Sequence, residues 1–176
     1  MSGHNKFSKI KHLKAKNDAQ KSKVYTKLVR LITVEAKKSG GNTSAPGLAA
    51  AIAKAREENM PNDTIERAIK KATTDNSAAM ESIVYEAYGP GGVAILIEAL
   101  TENRNKAAQE IKHILSDQGI SLAAPGSASW AFEKQGNIWN PTTTVPLQED
   151  DIAKLSALVE ALEANDEVQE VFTNAE

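Results

Sequence analysis

The stretch SIVYEAYGPGGVAILIEAL, residues 82–100, decides the fold of this 176-residue chain. Its opening, SIVYEAY, alternates between apolar and polar side chains, as a strand with one buried face does. The turn residues GPGG follow, and VAILIEAL at 93–100 is an apolar run that predicts a buried strand. A phosphate-binding loop is the alternative for GPGG, but a strand pattern follows it and the GK[ST] ending is missing. The stretch therefore predicts a β-hairpin.

The residues after this hairpin predict a mixture of helices and strands. Apolar side chains at helical spacing indicate the helices, and short runs between turn residues indicate the strands. In chain order the predicted elements are a helix at 103–118, strands at 128–133 and 142–147, a helix that starts at 149, and a strand at 168–173. This order predicts an α+β fold, with a two-layer sandwich and a mainly antiparallel sheet.

The residues before the hairpin predict three amphipathic helices that form a small bundle. The first runs from 17 or 18 to about 38, the second covers 48–59, and the third begins at Pro61. The polar segment TTDNSAAM then separates this region from the strands. We expect a basic helical domain at 1–76, which opens with a mobile arm, and an acidic α+β domain at 77–176.

The charges of the two regions have opposite signs. Residues 1–71 hold 16 basic and 6 acidic residues, a net charge of +10, whereas residues 72–176 hold 5 basic and 17 acidic residues, a net charge of -12. The first thirty residues alone carry eight Lys and one Arg against Asp18. Such a dipolar chain is expected to orient on a phosphate surface. The alternative is a solvated Lys-rich helix face, but the run is long and nearly unopposed, which favours nucleic acid or the ribosome.

Several function classes are disfavoured by the composition. The chain has no cysteine, and its three histidines lack metal-ligand spacing, so we expect no metal and no cofactor. Neither a GxSxG elbow nor a Ser-His-acid order is present, and we expect no enzyme activity and no small-molecule substrate. With no apolar run of membrane length and no secretory signal, we expect a cytoplasmic protein without a membrane partner. The oligomeric state is left open.

Five blocks of this sequence resemble the YebC family, in the family's order. They lie at 1–28, 59–72, 84–105, 126–136 and 158–175, and they include MSGHNKFSKIKHLKAKNDAQ, NMPNDTIERAIKKA and GSASWAFEKQG. Members of that family are named as probable transcriptional regulators and include the mitochondrial translational activator of cytochrome oxidase subunit I. The resemblance implies a helical N-terminal domain before α+β domains, no enzymatic activity, and binding to DNA or to the ribosome. For members tied to translation, it implies help for ribosomes at consecutive prolines.

Two features depart from the family pattern. Phe7 stands where the family usually has Trp. Between NIW at 137–139 and PTTTVPL at 141–147, an additional acidic α+β module of full-length members is missing. We therefore expect two domains rather than three.

The resemblance and the charge pattern together predict a nucleic-acid contact surface and no catalytic residue. His4 is a further candidate for a base or sugar contact, and Tyr25 is either a stacking residue or part of the core. Because lysine predominates over arginine, the pattern favours structured RNA or nonspecific duplex binding over a sharply specific repressor. The predicted contact residues are Lys6, Phe7, Lys9, Lys11, His12, Lys14, Lys16, Lys21, Lys23, Lys27 and Arg30.

Three functions remain open on these grounds. The first is a ribosome-associated or rRNA-binding translation factor that eases stalled elongation. The second is a DNA-binding transcriptional regulator, although no recognition helix or basic zipper is evident. The third is a protein-interaction module in which the acidic domain binds a basic partner.

Overall fold

The computed structural model describes residues 18–76, 79–136 and 138–176, with side chains from residue 22 onward. These residues form two compact units: one ends at Glu81 and the other begins at Ser82. Each unit has its own hydrophobic core.

The first unit consists of three helices, α1 (Asp18–Ser39), α2 (Pro46–Glu57) and α3 (Asn62–Thr74). Helix α1 ends at a glycine pair in the left-handed conformation, and the Gly41 N–H donates to the Ala36 carbonyl at 2.9 Å. Helix α2 begins with Pro46, whose fixed φ suits the first helical position. These local signals account for the helix boundaries.

The core of the helical unit is built from small and branched aliphatic side chains. The Glu35 carboxylate of α1 lies where a Cβ atom of Gly47 would be, so the glycine leaves room for that side chain. Small residues on α2 allow the two helices to pack closely. The buried residues of the three helices include Leu28, Ile32, Ala36, Leu48, Ala51, Ala55, Ile65, Ala68 and Ala72.

The second unit contains a four-stranded sheet, a separate hairpin and two helices. The elements are β1 (Glu81–Tyr88), β2 (Ala94–Thr101), α4 (Arg104–Asp117), β3 (Leu122–Ala123), β4 (Phe132–Gln135), β5 (Ile138–Pro141), α5 (Glu149–Glu163) and β6 (Val168–Thr173). The sheet has the strand order β3-β1-β2-β6, and both the β1/β3 and the β2/β6 pairs are antiparallel. Strands β4 and β5 form the hairpin.

Strand β2 is an inner strand of the sheet, and both of its faces are buried. On one face, Ile95 and Ile97 pack with residues of α4 and α5 such as Ile111 and Leu158. On the other face, Leu96 belongs to a smaller cluster with Ala128, Ala131 and Phe132, next to the β4/β5 hairpin. The predicted α+β fold with a helical N-terminal region is confirmed. The hairpin adds a cover to the second face of the sheet.

Two predicted strands differ from the structure. Residues 142–147 form no strand: Val145 makes only an isolated parallel bridge with Ala175. Pro146 has no backbone N–H, so this segment lacks one of the donors that a continuous ladder would need. The strand predicted from 128 begins only at Phe132, because Ser129–Ala131 is a single 3-10 turn.

Within the described ranges, no helix is long and apolar enough to cross a membrane.

Candidate nucleic-acid interface

Helix α1 carries a cationic face opposite its core stripe. Lys23, Lys27 and Arg30 are spaced by four and three residues, which places them on one side of an α-helix. The buried side chains of Leu28 and Ile32 lie on the other side. Lys23 is exposed, and Lys27 and Arg30 are partly exposed. The structure thus brings three of the predicted contact residues together.

The cationic face is limited to the first part of α1. One turn beyond Arg30 the same side of the helix reaches Val34, which is 5% exposed. The accessible positive charge on this side therefore lies toward the helix N-terminus. The Lys-rich sequence before residue 18 continues directly from this end.

The remaining predicted contacts lie where the structure gives no side-chain description. Lys21 is part of α1, but its side chain is not among those described. The predicted contact residues and candidates that lie outside the described ranges are His4, Lys6, Phe7, Lys9, Lys11, His12, Lys14 and Lys16.

Tyr25 belongs to the core of the helical unit. Its ring packs against the buried cluster, and its hydroxyl lies 3.1 Å from the Glu58 carbonyl oxygen and 3.0 Å from that of Asn59. Because the hydroxyl donates its proton at the end of α2, the side chain ties α1 to that end. This geometry favours the structural role for Tyr25 over base stacking.

Helix α3 has a second set of cations that the sequence analysis did not single out. Arg67, Lys70 and Lys71 are exposed and share the helix side opposite Ile65. Their spacing of three and four residues is visible in the sequence and would have predicted that they share one side of a helix. Asp63 lies on the same side, and the Arg67 Nε atom donates to its backbone carbonyl at 3.2 Å. An acid within this set makes it less positive than the face on α1.

A buried carboxylate organises a loop of the second unit. Glu86 is 6% exposed, and its side chain accepts hydrogen bonds from the backbone N–H groups of Gly126 at 2.7 Å, Ala128 at 2.7 Å and Ser129 at 2.9 Å. Burial by itself raises the pKa of Glu86, but these hydrogen bonds stabilise the anion and hold the pKa below its ordinary value. The sequence did not reveal this role, because the partners lie about 40 positions away.

The loop held by Glu86 presents an exposed tryptophan. Trp130 is 64% exposed, and its Nε1 donates to the Tyr88 hydroxyl at 2.9 Å. The Tyr88 hydroxyl in turn donates to the Ser127 carbonyl. The other tryptophan, Trp139, is partly buried and donates to Glu98 at 3.0 Å. The two indoles therefore have different environments.

No group of three or more His, Cys, Asp or Glu residues suited to a metal ion occurs among the residues that the structure describes.

Comparison with known proteins identifies domains along most of the chain. Residues 5–75 match the TACO1/YebC protein N-terminal domain, and residues 80–139 and 137–175 match the TACO1/YebC second and third domain. A probable transcriptional regulatory protein from Fervidobacterium nodosum is 40% identical, over 99% of this chain and 93% of the relative. One from Thermotoga petrophila is 45% identical, over 100% of this chain and 71% of the relative.

A solved structure has the same fold. The crystal structure of a conserved hypothetical protein from Aquifex aeolicus superposes with a TM-score of 0.81 and 30% identity, over 93% of each chain. The alignment with the Fervidobacterium relative extends over 235 residues, more than the 176 residues of this chain. The relative therefore contains residues that have no counterpart here.

Proposed function

Because the chain belongs to the TACO1/YebC family, we propose that it is a non-enzymatic regulator of gene expression that binds nucleic acid through its helical unit. The observation that carries this proposal is the cationic face of Lys23, Lys27 and Arg30 on α1, next to the Lys-rich N-terminal sequence. The proposed interface comprises these three residues and the predicted contacts at positions 6–21. It needs no cofactor and no small-molecule substrate.

Docking on this interface is electrostatic. Lysine side chains are compact charges that neutralise phosphates but read base edges poorly. Residues 1–71 contain 13 Lys and 3 Arg, so phosphate contacts predominate over bidentate base recognition. The acidic second unit is repelled by the same phosphates, which orients the helical unit toward them.

The ribosome is the nucleic-acid surface that we favour. A Lys-rich interface suits the dense phosphate backbone of folded RNA, which is recognised by shape and backbone contacts. We propose that the protein acts in the cytoplasm as a ribosome-associated translation factor that eases stalled elongation. Its phosphate contacts would position it on rRNA without reading a sequence.

A DNA-binding transcriptional regulator is the second candidate. The names of the relatives from Fervidobacterium and Thermotoga favour it, since both are called probable transcriptional regulatory proteins. The two candidates share the cationic interface and differ in the nucleic acid that it contacts.

The salt dependence of binding tests the shared interface. If about six phosphate contacts form on duplex DNA, the logarithm of the association constant falls against log salt with a slope of about -5. The triple variant Lys23→Gln, Lys27→Gln, Arg30→Gln should reduce the steepness of that slope by about 2.7. A flat response in the unaltered protein contradicts the interface.

A matched control separates this face from overall charge. The variant Arg67→Gln, Lys70→Gln, Lys71→Gln removes the same number of charges from α3 of the same unit. We expect it to leave the slope nearly unchanged. Equal losses in both triple variants would mean that net charge, and not the α1 face, determines binding.

Sedimentation of cell lysate through a sucrose gradient distinguishes the two nucleic acids. Co-migration with ribosomal particles that is lost after RNase treatment or at high salt supports the translation factor. Retention on genomic DNA, with none of the protein in ribosomal fractions, supports the transcriptional regulator instead.

A further inference from the structure

Trp130 is a large aromatic side chain that the second unit holds in place and leaves in solvent. It is 64% exposed, and its indole N–H is fixed by the Tyr88 hydroxyl at 2.9 Å. Tyr88 is itself 41% exposed and bonded to the Ser127 carbonyl. One hydrogen bond therefore links the two side chains, and both rings reach the surface.

The backbone beneath Trp130 is anchored as well. The buried Glu86 carboxylate accepts hydrogen bonds from Ala128 and Ser129, the two residues that precede the tryptophan. An aromatic ring held in this way loses little conformational freedom when a partner binds, which lowers the entropic cost of docking. Exposed, preorganised Trp and Tyr side chains are typical anchors of protein interfaces.

The net charge of the second unit indicates what kind of partner this surface would attract. Residues 82–176 contain 15 acidic and 5 basic residues, a net charge of -10. Tyr88 also borders an open groove of about 570 Å³ that Asp151 and Lys154 line, and α5 begins there with three consecutive acids. The charged residues that line the groove are Asp151 and Lys154, and Glu149 and Asp150 precede Asp151 at the start of α5. A phosphate chain is repelled by a unit with this net negative charge, and a cationic segment is attracted.

The same unit already pairs a cation with its other indole. The Lys134 ammonium lies 5.2 Å from the centre of the Trp139 ring. Among the described residues, no cation of the chain lies over Trp130. Its face is thus available to a cation from outside.

We propose that the surface formed by Trp130 and Tyr88 binds a basic polypeptide segment, with an arginine guanidinium stacked on the Trp130 indole. Arginine suits this site better than lysine, because its planar guanidinium stacks on aromatic rings and is weakly hydrated. Asp151 lines the groove that Tyr88 borders, and it provides an anion for a second cation of the segment. This surface is separate from the nucleic-acid interface of the helical unit.

The test uses the full chain and an acetylated octa-arginine peptide as probe. In ¹⁵N spectra, the indole N–H signal of Trp130 should shift on titration, whereas the signal of Trp139 should stay in place. Trp130→Ala should weaken the affinity by roughly two- to fivefold, the range expected for a cation stacked on an exposed aromatic ring. Trp130→Phe should keep most of the affinity, because an aromatic face remains.

Ile138→Ala is the matched control, since Ile138 is an exposed apolar residue of the same unit at 57% exposure. It should bind the peptide as the unaltered chain does. Equal affinity of Trp130→Ala and the unaltered chain would overturn the proposal. So would a shift of the Trp130 indole signal with a single-stranded RNA 12-mer but not with octa-arginine. If Trp130→Ala fails to fold, the indole spectra of the unaltered chain still test the proposal, because an unshifted Trp130 signal with octa-arginine would overturn it.

Discussion

Replacing Glu86 with glutamine should destabilise the second unit by an amount that depends on pH. The carboxylate uses one oxygen for Gly126 and the other for Ala128 and Ser129. A glutamine can supply only one of these acceptors, and its amide group would place N–H donors against the N–H of Gly126. Glu86→Gln therefore removes one hydrogen bond and weakens the other two.

The magnitude follows from the charge of the acceptor. A hydrogen bond to a charged group contributes about 1.5–3 kcal/mol, against about 0.5–1.5 kcal/mol for a neutral pair. Glu86→Gln loses one hydrogen bond and weakens two, but a buried neutral amide costs less to desolvate than a buried carboxylate. The net loss in the free energy of unfolding is about 2 kcal/mol. For a unit of this size, that loss lowers the urea midpoint by roughly 1–2 M.

Tryptophan fluorescence reports this unit alone, because Trp130 and Trp139 are the two tryptophans of the chain and both lie in it. Urea unfolding near pH 7 should show the shift for Glu86→Gln. Glu133→Gln is the control, since Glu133 is an exposed acid of β4. Its midpoint should match that of the unaltered chain.

The sign of the pH dependence is determined by the lowered pKa of Glu86. Above its ordinary value of 4.5, both the folded and the unfolded carboxyl are ionised, and the stabilisation is complete. Below that value the unfolded state takes up protons first, and the stabilisation is lost as the pH falls through the folded pKa. The gap between the unaltered chain and Glu86→Gln should thus narrow as the pH falls below 4.5. Equal midpoints near pH 7, or a gap that does not change as the pH is lowered below 4.5, would refute this role of Glu86.

Three further predictions concern a glycine turn, a side-chain hydrogen bond and a helix cap. Gly91→Ala should destabilise the second unit by roughly 2–4 kcal/mol in the same urea assay. The φ angle of Gly91 is +69°, and an added Cβ would overlap the Leu147 Cδ2 atom. Gly92→Ala is the comparison and should destabilise the unit less, because no atom lies within 4 Å of an added Cβ there. Tyr25→Phe should cost about 1 kcal/mol by circular dichroism and leave nucleic-acid affinity unchanged, whereas a loss of affinity would restore the stacking role. Asn103→Ala should cost about 1 kcal/mol in urea unfolding, because it removes the side-chain cap of α4, and an unchanged midpoint would contradict that role.

The order and type of most elements follow from local sequence patterns. The alternation in SIVYEAY and the apolar run VAILIEAL predict β1 and β2, and the structure contains both. Asn103 caps α4 as its position suggests, with its side chain accepting from the Lys106 N–H at 3.1 Å. The stripe of α1 likewise predicts which side is buried and which carries Lys23 and Lys27. These features depend on residues close together in the chain, so their periodicity reveals them.

By itself, then, the sequence determined the α+β class, the helical N-terminal region, the charge division and the cationic side of α1. Tertiary structure alone decided that the β4/β5 hairpin covers the second face of β2, that Tyr25 joins the core, and that Glu86 holds the loop before Trp130. It also decided that residues 142–147 pair only at Val145. Each of these outcomes depends on hydrogen bonds or packing between residues distant in sequence, and local periodicity and propensity carry no information about such partners.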